Sequence, residues 1–308
     1  MEVFGPVQSR RFGSSLGINH LPPKVCSYAC VYCQLGRTDT LRDRPRAYSD
    51  PQAVYSAVRE NLATLPNPPD TLTFVSNGEP TLDTYLGESI DMLKPLGIPI
   101  AVISNASLLW RAEVRDNILC ADIVSLKVDA VTEVIWRRIN RPHGRLELAA
   151  LLRGLQDFSG SFNGRLLTET MLVRGMNDAI TELQAIAAFI ASLQPQTAYL
   201  ALPLRAPAES WVIPPTRNTL LQANQIFSKV IPNVKMMVDL PESGMVASAD
   251  PLRSLLRTLK VHPLREKELR AFIKNNHLPP DTLEKLLAQN RVRMMNYQDE
   301  AFYLAVYH

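Results

Sequence analysis

From about residue 15 to residue 238, short apolar runs rich in β-branched residues alternate with longer segments of helical period. The runs at about 15–19, 71–76, 99–104, 121–128, 166–173, 197–202 and 234–238 read as strands. Between them, Gln52 to Leu65, Leu82 to Leu96, Leu108 to Leu119, Leu146 to Phe158, Ala179 to Leu193 and Thr216 to Val230 read as helices. Pro66-Asn67-Pro68-Pro69 closes the first helix and Gly97 stops the second. Residues 5–19 predict a short strand or hairpin leading into the first core strand. Repeated strand–helix–strand steps imply parallel strands with right-handed crossovers, an α/β class. Six or so such units exceed one mononucleotide-binding half and fall short of eight. A partial (β/α)6 barrel therefore fits better than a full eightfold barrel, with an open doubly wound sheet as the alternative. In either architecture ligand chemistry belongs at the C-terminal ends of the strands.

The pattern changes after residue 238. Residues 239–250 read as a linker. Pro251 to Leu259 and Arg265 to Asn275 read as helices, and Asp281-Thr282-Leu283-Glu284 predicts a capping box opening a third helix that ends near Asn290. Val292 to Asn296 and Ala301 to Tyr307 alternate as two strands around Gln298-Asp299-Glu300. Three helices and a hairpin make a winged-helix pattern. The expected domains are 1–245, the partial barrel, and 246–308, a small α+β winged-helix-like domain.

Composition adds exclusions. The chain is 46% hydrophobic and 20% charged, ordinary for a soluble globular protein. No apolar run approaches the roughly 18 residues that indicate a membrane helix, and the first residues have neither a basic start nor an apolar signal core. The expectation is a cytoplasmic protein with no membrane contact. The net charge of +3 is unevenly placed. Residues 251–308 hold ten Lys/Arg against six Asp/Glu, while the first 250 hold 23 against 24. The basic excess belongs to the C-terminal segment and permits a nucleic-acid partner there.

Three of the four cysteines, Cys26, Cys30 and Cys33, stand in a C-x3-C-x2-C array, with Tyr32 just before the last. In a reducing compartment such a cluster reads as metal or redox chemistry, not as a disulfide framework. A structural zinc site wants four ligands; the nearest fourth candidates in sequence are His20 and Cys120. A [4Fe–4S] cluster normally takes four cysteines, so three would leave one iron open to a substrate or cofactor.

C-x3-C-x-aromatic-C after a predicted strand resembles the signature of the radical S-adenosylmethionine (radical SAM) enzymes. The resemblance implies that Cys26, Cys30 and Cys33 ligate three irons of a [4Fe–4S] cluster and that S-adenosylmethionine (SAM) chelates the fourth. One electron then cleaves SAM to methionine and a 5′-deoxyadenosyl radical, which abstracts hydrogen from a substrate. Ser76-Asn77-Gly78-Glu79-Pro80 resembles the family's Gly-Gly-Glu segment, with Asn77 replacing the first glycine. It implies that Glu79 receives the SAM ammonium and that Gly78 permits close backbone approach. Ser104-Asn105 resembles the family's Ser/Thr-Asn pair near SAM. At the end of the 121–128 strand, alternation puts Ser125, Lys127 and Asp129 on one face, where a Lys can meet the SAM carboxylate and an Asp or Ser the ribose. Tyr32 joins the expected cofactor contacts. Glu169, Arg174 and Arg205 are weaker candidates for ribose or substrate. Arg10 and Arg11 suit an anionic ligand, and Arg141, His143, Tyr199 and Trp211 are candidates to face a substrate.

Phe4-Gly5-Pro6-Val7, Cys33-Gln34-Leu35-Gly36-Arg37-Thr38, Ile139-Asn140-Arg141-Pro142-His143 and Leu172-Val173-Arg174-Gly175-Met176-Asn177-Asp178 are similar to radical SAM proteins grouped with the tRNA wyosine synthases, over roughly residues 4–245. The wyosine synthases hold a second cluster on further cysteines. Here only Cys120 remains, so a second cluster held by three or four cysteines is impossible by counting. The resemblance implies a one-cluster enzyme with an external reductant such as flavodoxin or ferredoxin. The substrate classes left open are RNA, tRNA among them, a peptide or protein partner, and a small molecule under a structural lid. A metal-bearing winged-helix nucleic-acid-binding regulator is the alternative of a different class.

Overall fold

The structure, a computed structural model, describes residues 1–38, 40–239 and 250–306. The chain opens with an antiparallel pair, β1 (Glu2–Ser9) and β2 (Gly13–Asn19). Strands and helices then alternate: α1 (Pro51–Leu62), β3 (Thr71–Phe74), α2 (Leu86–Leu93), β4 (Ile100–Ser104), α3 (Ala112–Leu119) and β5 (Ile123–Lys127). Two helices follow, α4 (Glu133–Ile139) and α5 (Leu148–Ser161), before β6 (Arg165–Met171), α6 (Ile180–Ser192), β7 (Thr197–Ala201), α7 (Arg217–Ser228) and β8 (Val234–Met237).

The eight strands form one sheet in the order β1 to β8, and every pair from β2 to β8 is parallel. Strand order never reverses, which rules out the doubly wound alternative. The sheet is an open partial barrel with β1 and β8 as its edges, and six helical crossovers link the seven parallel strands. Alternation assigns the two faces. Leu72, Phe74, Val102, Val124, Leu126 and Leu200 pack outward into a core shared with the helices. Ala101, Ile123, Leu167, Tyr199 and Ala201 pack with one another and with Phe12, without any helix residue. This second set is the inner face. One pleat further along the same face come Ile103, Ser125, Glu169 and Met171.

Several expected boundaries shift for physical reasons. The expected helix at 82–96 begins as a 3-10 turn at Pro80–Leu82, because the Asp83 carboxylate accepts from the backbone N–H groups of Tyr48 and Tyr85 and holds the chain in a turn. Its end is as expected, with Gly97 in the left-handed region at φ 70°. The helix expected from Leu108 starts at Ala112, after a turn at Ala106 with φ 63°. Helix α4 was not expected. It is only seven residues long, and its anchor is Trp136, buried against Tyr28.

Residues 250–306 form a second core. Helices α8 (Pro251–Val261), α9 (Glu266–Asn275) and α10 (Thr282–Ala288) pack with a three-stranded antiparallel sheet of β9 (Leu264–Arg265), β10 (Val292–Tyr297) and β11 (Glu300–Ala305), in the order β10-β11-β9. Strand β9 was not expected, since two residues are too few to show an alternating pattern. Leu255, Leu259, Leu269, Leu283, Leu286 and Tyr303 fill the core. The capping box expected at Asp281 is absent. Its backbone (φ −84°, ψ 10°) is not extended, and its carboxylate pairs with Lys285 at 2.8 Å. Glu268 does play this part for α9, accepting from the Arg265 N–H at 2.8 Å. Of the expected linker at 239–250, residues 240–249 lie outside the described residues, as do Tyr307 and His308. The two cores touch: α8 packs against the edge strand β1, and the Tyr297 hydroxyl donates to the Pro203 carbonyl at 2.8 Å.

Candidate active site

A cavity of about 370 Å³ opens at the C-terminal ends of the strands and runs down the inner face. Its lining draws on the loop after β2, with Lys24, Cys26, Cys30, Tyr32 and Cys33, and on the segments after β3 and β4, with Asn77, Gly78, Glu79, Ser104 and Asn105. Lys127, Glu169 and Met171 line it from β5 and β6, and residues 201–205 from the end of β7.

The cysteine loop is held by backbone on two sides. Lys24 N–H donates to the Asn77 carbonyl and Glu79 N–H to the Val25 carbonyl, both at 2.9 Å. Opposite, Val31 N–H donates to the Ile139 carbonyl at 3.0 Å, and His143 N–H to the Ser27 carbonyl at 2.9 Å. Tyr28 is buried, and its hydroxyl accepts from the Trp136 indole at 3.0 Å. Glu209 pairs with Arg37 at 2.8 Å and with Arg141, and its N–H donates to the Val31 carbonyl, fastening the far end of the loop.

Each thiol has an N–H group near its sulfur. The Asn105 amide lies 3.6 Å from Cys26 Sγ, the Asn140 amide 3.5 Å from Cys30 Sγ, and the Lys24 ammonium 4.0 Å from Cys33 Sγ. Such donors favour the thiolate. Burial works the other way and pushes the Cys26 thiol well up and the Cys30 thiol to about 12. A cation bound to the sulfurs is what would tip the balance to thiolate. The donor set therefore fits a thiolate-held metal group.

The fourth-ligand candidates lie elsewhere. His20 is buried edge-on against Phe74, with its ring nitrogens directed to Ser76 Oγ (3.1 Å) and the Pro80 carbonyl (3.4 Å). Burial holds its pKa down at about 4. Cys120 caps α3 with its thiol near the Asn117 and Gly87 carbonyls. Neither lines the cavity. Among the described residues no three His, Cys, Asp or Glu side chains converge on a single-ion site. One zinc ion would need thiolates about 3.8 Å apart, given a Zn–S bond of about 2.3 Å; thiolates on different irons of a cluster have no such requirement.

Glu79 is the best-connected polar group. Its Oε1 accepts from the Thr81 and Ser104 hydroxyls, both at 2.7 Å, and from Thr81 N–H at 3.1 Å; its Oε2 accepts from Asn105 N–H at 2.7 Å. Burial raises its pKa and these donors partly offset the rise. The structure thus joins Glu79, on the segment after β3, to Ser104 and Asn105 at the end of β4, and Asn105 in turn reaches Cys26. Asn77 is buried beside them, its N–H donating to Asn19 Oδ1 at 3.2 Å.

The trio at the end of β5 separates. Lys127 lines the cavity, 2.6 Å from Glu169 and over the Tyr32 ring at 5.1 Å. Ser125 shares the inner face but sits deeper, 3.4 Å from Arg11 Nη1, and is not in the cavity lining. Asp129 leaves that face because the strand ends at Lys127. It is buried and accepts from the Tyr32 hydroxyl, the Asn140 amide (2.8 Å) and Met171 N–H (2.8 Å). It ties down the cysteine loop through Tyr32 and is not among the residues lining this cavity.

Glu169 also pairs with Arg11. Burial alone would raise its pKa, but Lys127 and Arg11 together hold it down at about 2. The folded value lies below the ordinary 4.5, so the ion pairs stabilise the fold fully above about pH 4.5 and fade as the pH falls towards 2. Glu169→Gln is expected to cost about 3 kcal/mol at pH 7, at about 1.4 kcal/mol per pKa unit. Urea unfolding of both proteins at pH 7 and pH 3 checks this: the gap should narrow at the lower pH.

Of the remaining candidates, Arg10, Arg11 and Arg205 line the cavity. Arg174 donates to the Pro214 carbonyl away from it, Tyr199 belongs to the inner apolar set, Trp211 is exposed, and Arg141 and His143 brace the loop. Lys24 and Asn140, each directed at a cysteine sulfur, carried no role in the sequence reading. Lys24 stands two residues before Cys26, a proximity that could have marked it. Asn140 is 110 residues from Cys30 and lay unused inside the Ile139-Asn140-Arg141-Pro142 match.

Comparison with known proteins places these features. The family model described as the radical SAM superfamily matches residues 21–187. A UPF0026 protein of Methanocaldococcus jannaschii is 38% identical over 305 residues, covering 98% of this chain and 95% of the relative. A solved structure of TYW1 with a lysine-pyruvate adduct bound superposes with a TM-score of 0.54 at 18% identity, covering 70% of this chain and 74% of the other. Streptococcus suis SuiB bound to S-adenosylmethionine gives 0.54 at 11% identity, covering 72% of this chain and 51% of the other. At these identities the structural likenesses concern the fold alone.

Proposed function

The chain belongs to the radical SAM superfamily, and from that premise we propose that Cys26, Cys30 and Cys33 hold one [4Fe–4S] cluster whose remaining iron is completed by SAM. Membership decides between the enzyme and the regulator readings in favour of an enzyme. The observation that carries the proposal is the set of three thiols on one cavity wall, each with an N–H donor, and no fourth cysteine among the residues lining that cavity.

When bound, the reduced cluster supplies the electron that cleaves SAM to methionine and the 5′-deoxyadenosyl radical. The chain's own residues hold and orient. Asn105, Asn140 and Lys24 stabilise the sulfurs as thiolates. Glu79 offers Oε2, which has a single hydrogen bond from Asn105 N–H, to the SAM ammonium. Gly78 and Asn77 give backbone approach beside it, and Ser104 fixes the carboxylate. Lys127 and Tyr32 line the same wall and complete the SAM contacts; Lys127 exchanges part of its pairing with Glu169 for the SAM carboxylate. The inner face below excludes water from the radical with Phe12, Ile103 and Met171.

Residues 246–308 are proposed as the second domain, of winged-helix type, acting as a wall of the cavity. Val261 and His262, at the end of α8, line it. Its helix α10 offers little positive charge to a phosphate backbone, since Lys285 pairs with Asp281 and Glu284 pairs with Arg270 of α9. A small substrate bound in the cavity is therefore preferred over RNA docked on α10. An external reductant of the flavodoxin or ferredoxin kind completes the system.

Anaerobic reconstitution with iron and sulfide tests the proposal. About four irons per chain, with 5′-deoxyadenosine formed from SAM after reduction, is the expected result. Stoichiometric zinc without SAM cleavage would sink it.

A further inference from the structure

Five basic side chains line the cavity, Arg10, Arg11, Lys24, Lys127 and Arg205, against two carboxylates, Glu79 and Glu169. Glu79 lies at the thiol end among hydroxyl and amide donors. Glu169 is taken by Lys127 and Arg11. Lys24 stands beside Cys33, and the rest of the positive excess, Arg10 and Arg205, gathers near His262 at the end of α8. The proposed cofactors do not remove it. A [4Fe–4S] core with three thiolates carries one net negative charge in its oxidised form and SAM one net positive, so the two cancel.

Arg10 and Arg205 are bound only by neutral groups. Arg10 donates to the Asp239 backbone carbonyl. Arg205 Nε donates to the Pro263 carbonyl at 3.1 Å, and its Nη2 lies 2.7 Å from His262 Nε2. Neither forms an ion pair with a carboxylate among the described residues. A guanidinium has no lone pair to offer, so His262 Nε2 must accept, which leaves the ring neutral with its proton on Nδ1. Burial and the nearby Arg205 and Arg10 charges, which hold the His262 pKa well down, agree with that state. Burial likewise lowers the Arg205 pKa to about 10 and lowers that of Arg10, with Arg11 and Arg10 repelling each other. Arg10 is exposed and Arg205 half-buried, and the Glu169 and Glu268 charges offset part of their repulsion; an anion placed between cations that face one cavity relieves the rest.

We propose that Arg10, Arg11 and Arg205, with the Nδ1–H of His262, form a subsite for an anionic group of the substrate, a carboxylate or a phosphate. Two fork-shaped guanidinium groups and an N–H donor suit the planar or tetrahedral oxygens of such a group. Arg11, already held by Glu169, adds field more than bonds. His262 and its neighbour Pro263 come from the second core, so the subsite is incomplete without it. That gives residues 250–306 a task in substrate choice needing no nucleic acid. Calling the ligand the substrate rests on the radical SAM reading; the subsite itself does not.

The test titrates the full chain, iron-free, with inorganic phosphate and separately with acetate, at constant ionic strength set by chloride, following 31P or 13C line widths. Saturable binding of one of the two is expected, and which one tells phosphate from carboxylate. Arg10→Gln and Arg205→Gln are each expected to weaken it about tenfold or more; circular dichroism verifies their fold, and Arg10→Gln decides alone if Arg205→Gln unfolds the contact with the second core. No saturable binding of either anion, or binding unchanged in a folded variant, overturns the proposal. The titration is repeated on reconstituted chain with SAM. Continued binding supports a substrate subsite, whereas displacement by SAM assigns the arginines to the SAM carboxylate and overturns it. A chain that takes up no iron fails the cluster reading while the iron-free titration still decides the subsite.

Discussion

Replacing Cys30 by Ala is expected to abolish reductive cleavage of SAM, a loss of at least about a thousandfold, with little change in the fold. Each proposed thiolate holds a different iron, and no other sulfur can take over. Cys120 sits at the end of α3 with its thiol toward the Asn117 and Gly87 carbonyls. Loop geometry does not depend on the Cys30 side chain, because Cys33 N–H donates to the Cys30 backbone carbonyl and Ala29 and Val31 are tied to residues 139–141 through backbone. Deleting one partly buried thiol costs stability of the order of 1 kcal/mol. Cys120→Ala should keep full iron content and cleavage. Iron analysis and chromatography for 5′-deoxyadenosine on both variants check the pair; persistent cleavage by Cys30→Ala would show that the cluster assignment is wrong.

Gly78→Ala has the next largest expected effect, and it acts through backbone. A Cβ built on Gly78 would lie 1.7 Å from the Val25 carbonyl oxygen and 2.5 Å from its carbonyl carbon. No side chain can move aside to relieve that contact. The segment carrying Cys26 must instead separate from residues 77–79, breaking the bonds from Lys24 N–H and Glu79 N–H. Two lost hydrogen bonds at about 1 kcal/mol each, plus overpacking of about 1–3 kcal/mol, give a destabilisation of about 3–5 kcal/mol. Because Cys26 moves with this segment, iron uptake should fall together with the melting temperature. A variant with normal stability and iron content would contradict the close approach.

These two residues also mark what was legible in the sequence. The cysteines lie close together in one short stretch, so spacing alone exposed them. Gly78 was flagged for close approach, but its neighbour, Val25 in the cysteine loop, is more than fifty residues away and could not be named. The β-branched runs at 71–76, 99–104 and 121–128 located β3, β4 and β5 because parallel strands covered on both faces stay apolar along their length. Helix α4 escaped because seven residues with two buried anchors carry too little periodicity. Alternation placed Ser125 and Lys127 on the inner face but failed at Asp129, where β5 had already ended. The link from Glu79 to Ser104 and Asn105, and the amide of Asn140 at Cys30, are contacts between distant segments that no local pattern encodes. Likewise the arginines at 10, 11 and 205 could be noticed singly, but only the curled sheet brings them into one cavity with His262.

The central claim is that three cysteines leave one iron for SAM. Electron paramagnetic resonance of the reduced, reconstituted chain, recorded with and without SAM, tests it most directly. SAM bound at the open iron must change the spectrum of the cluster, and saturating SAM should shift its g-values. A cluster spectrum left unchanged by saturating SAM would contradict the claim.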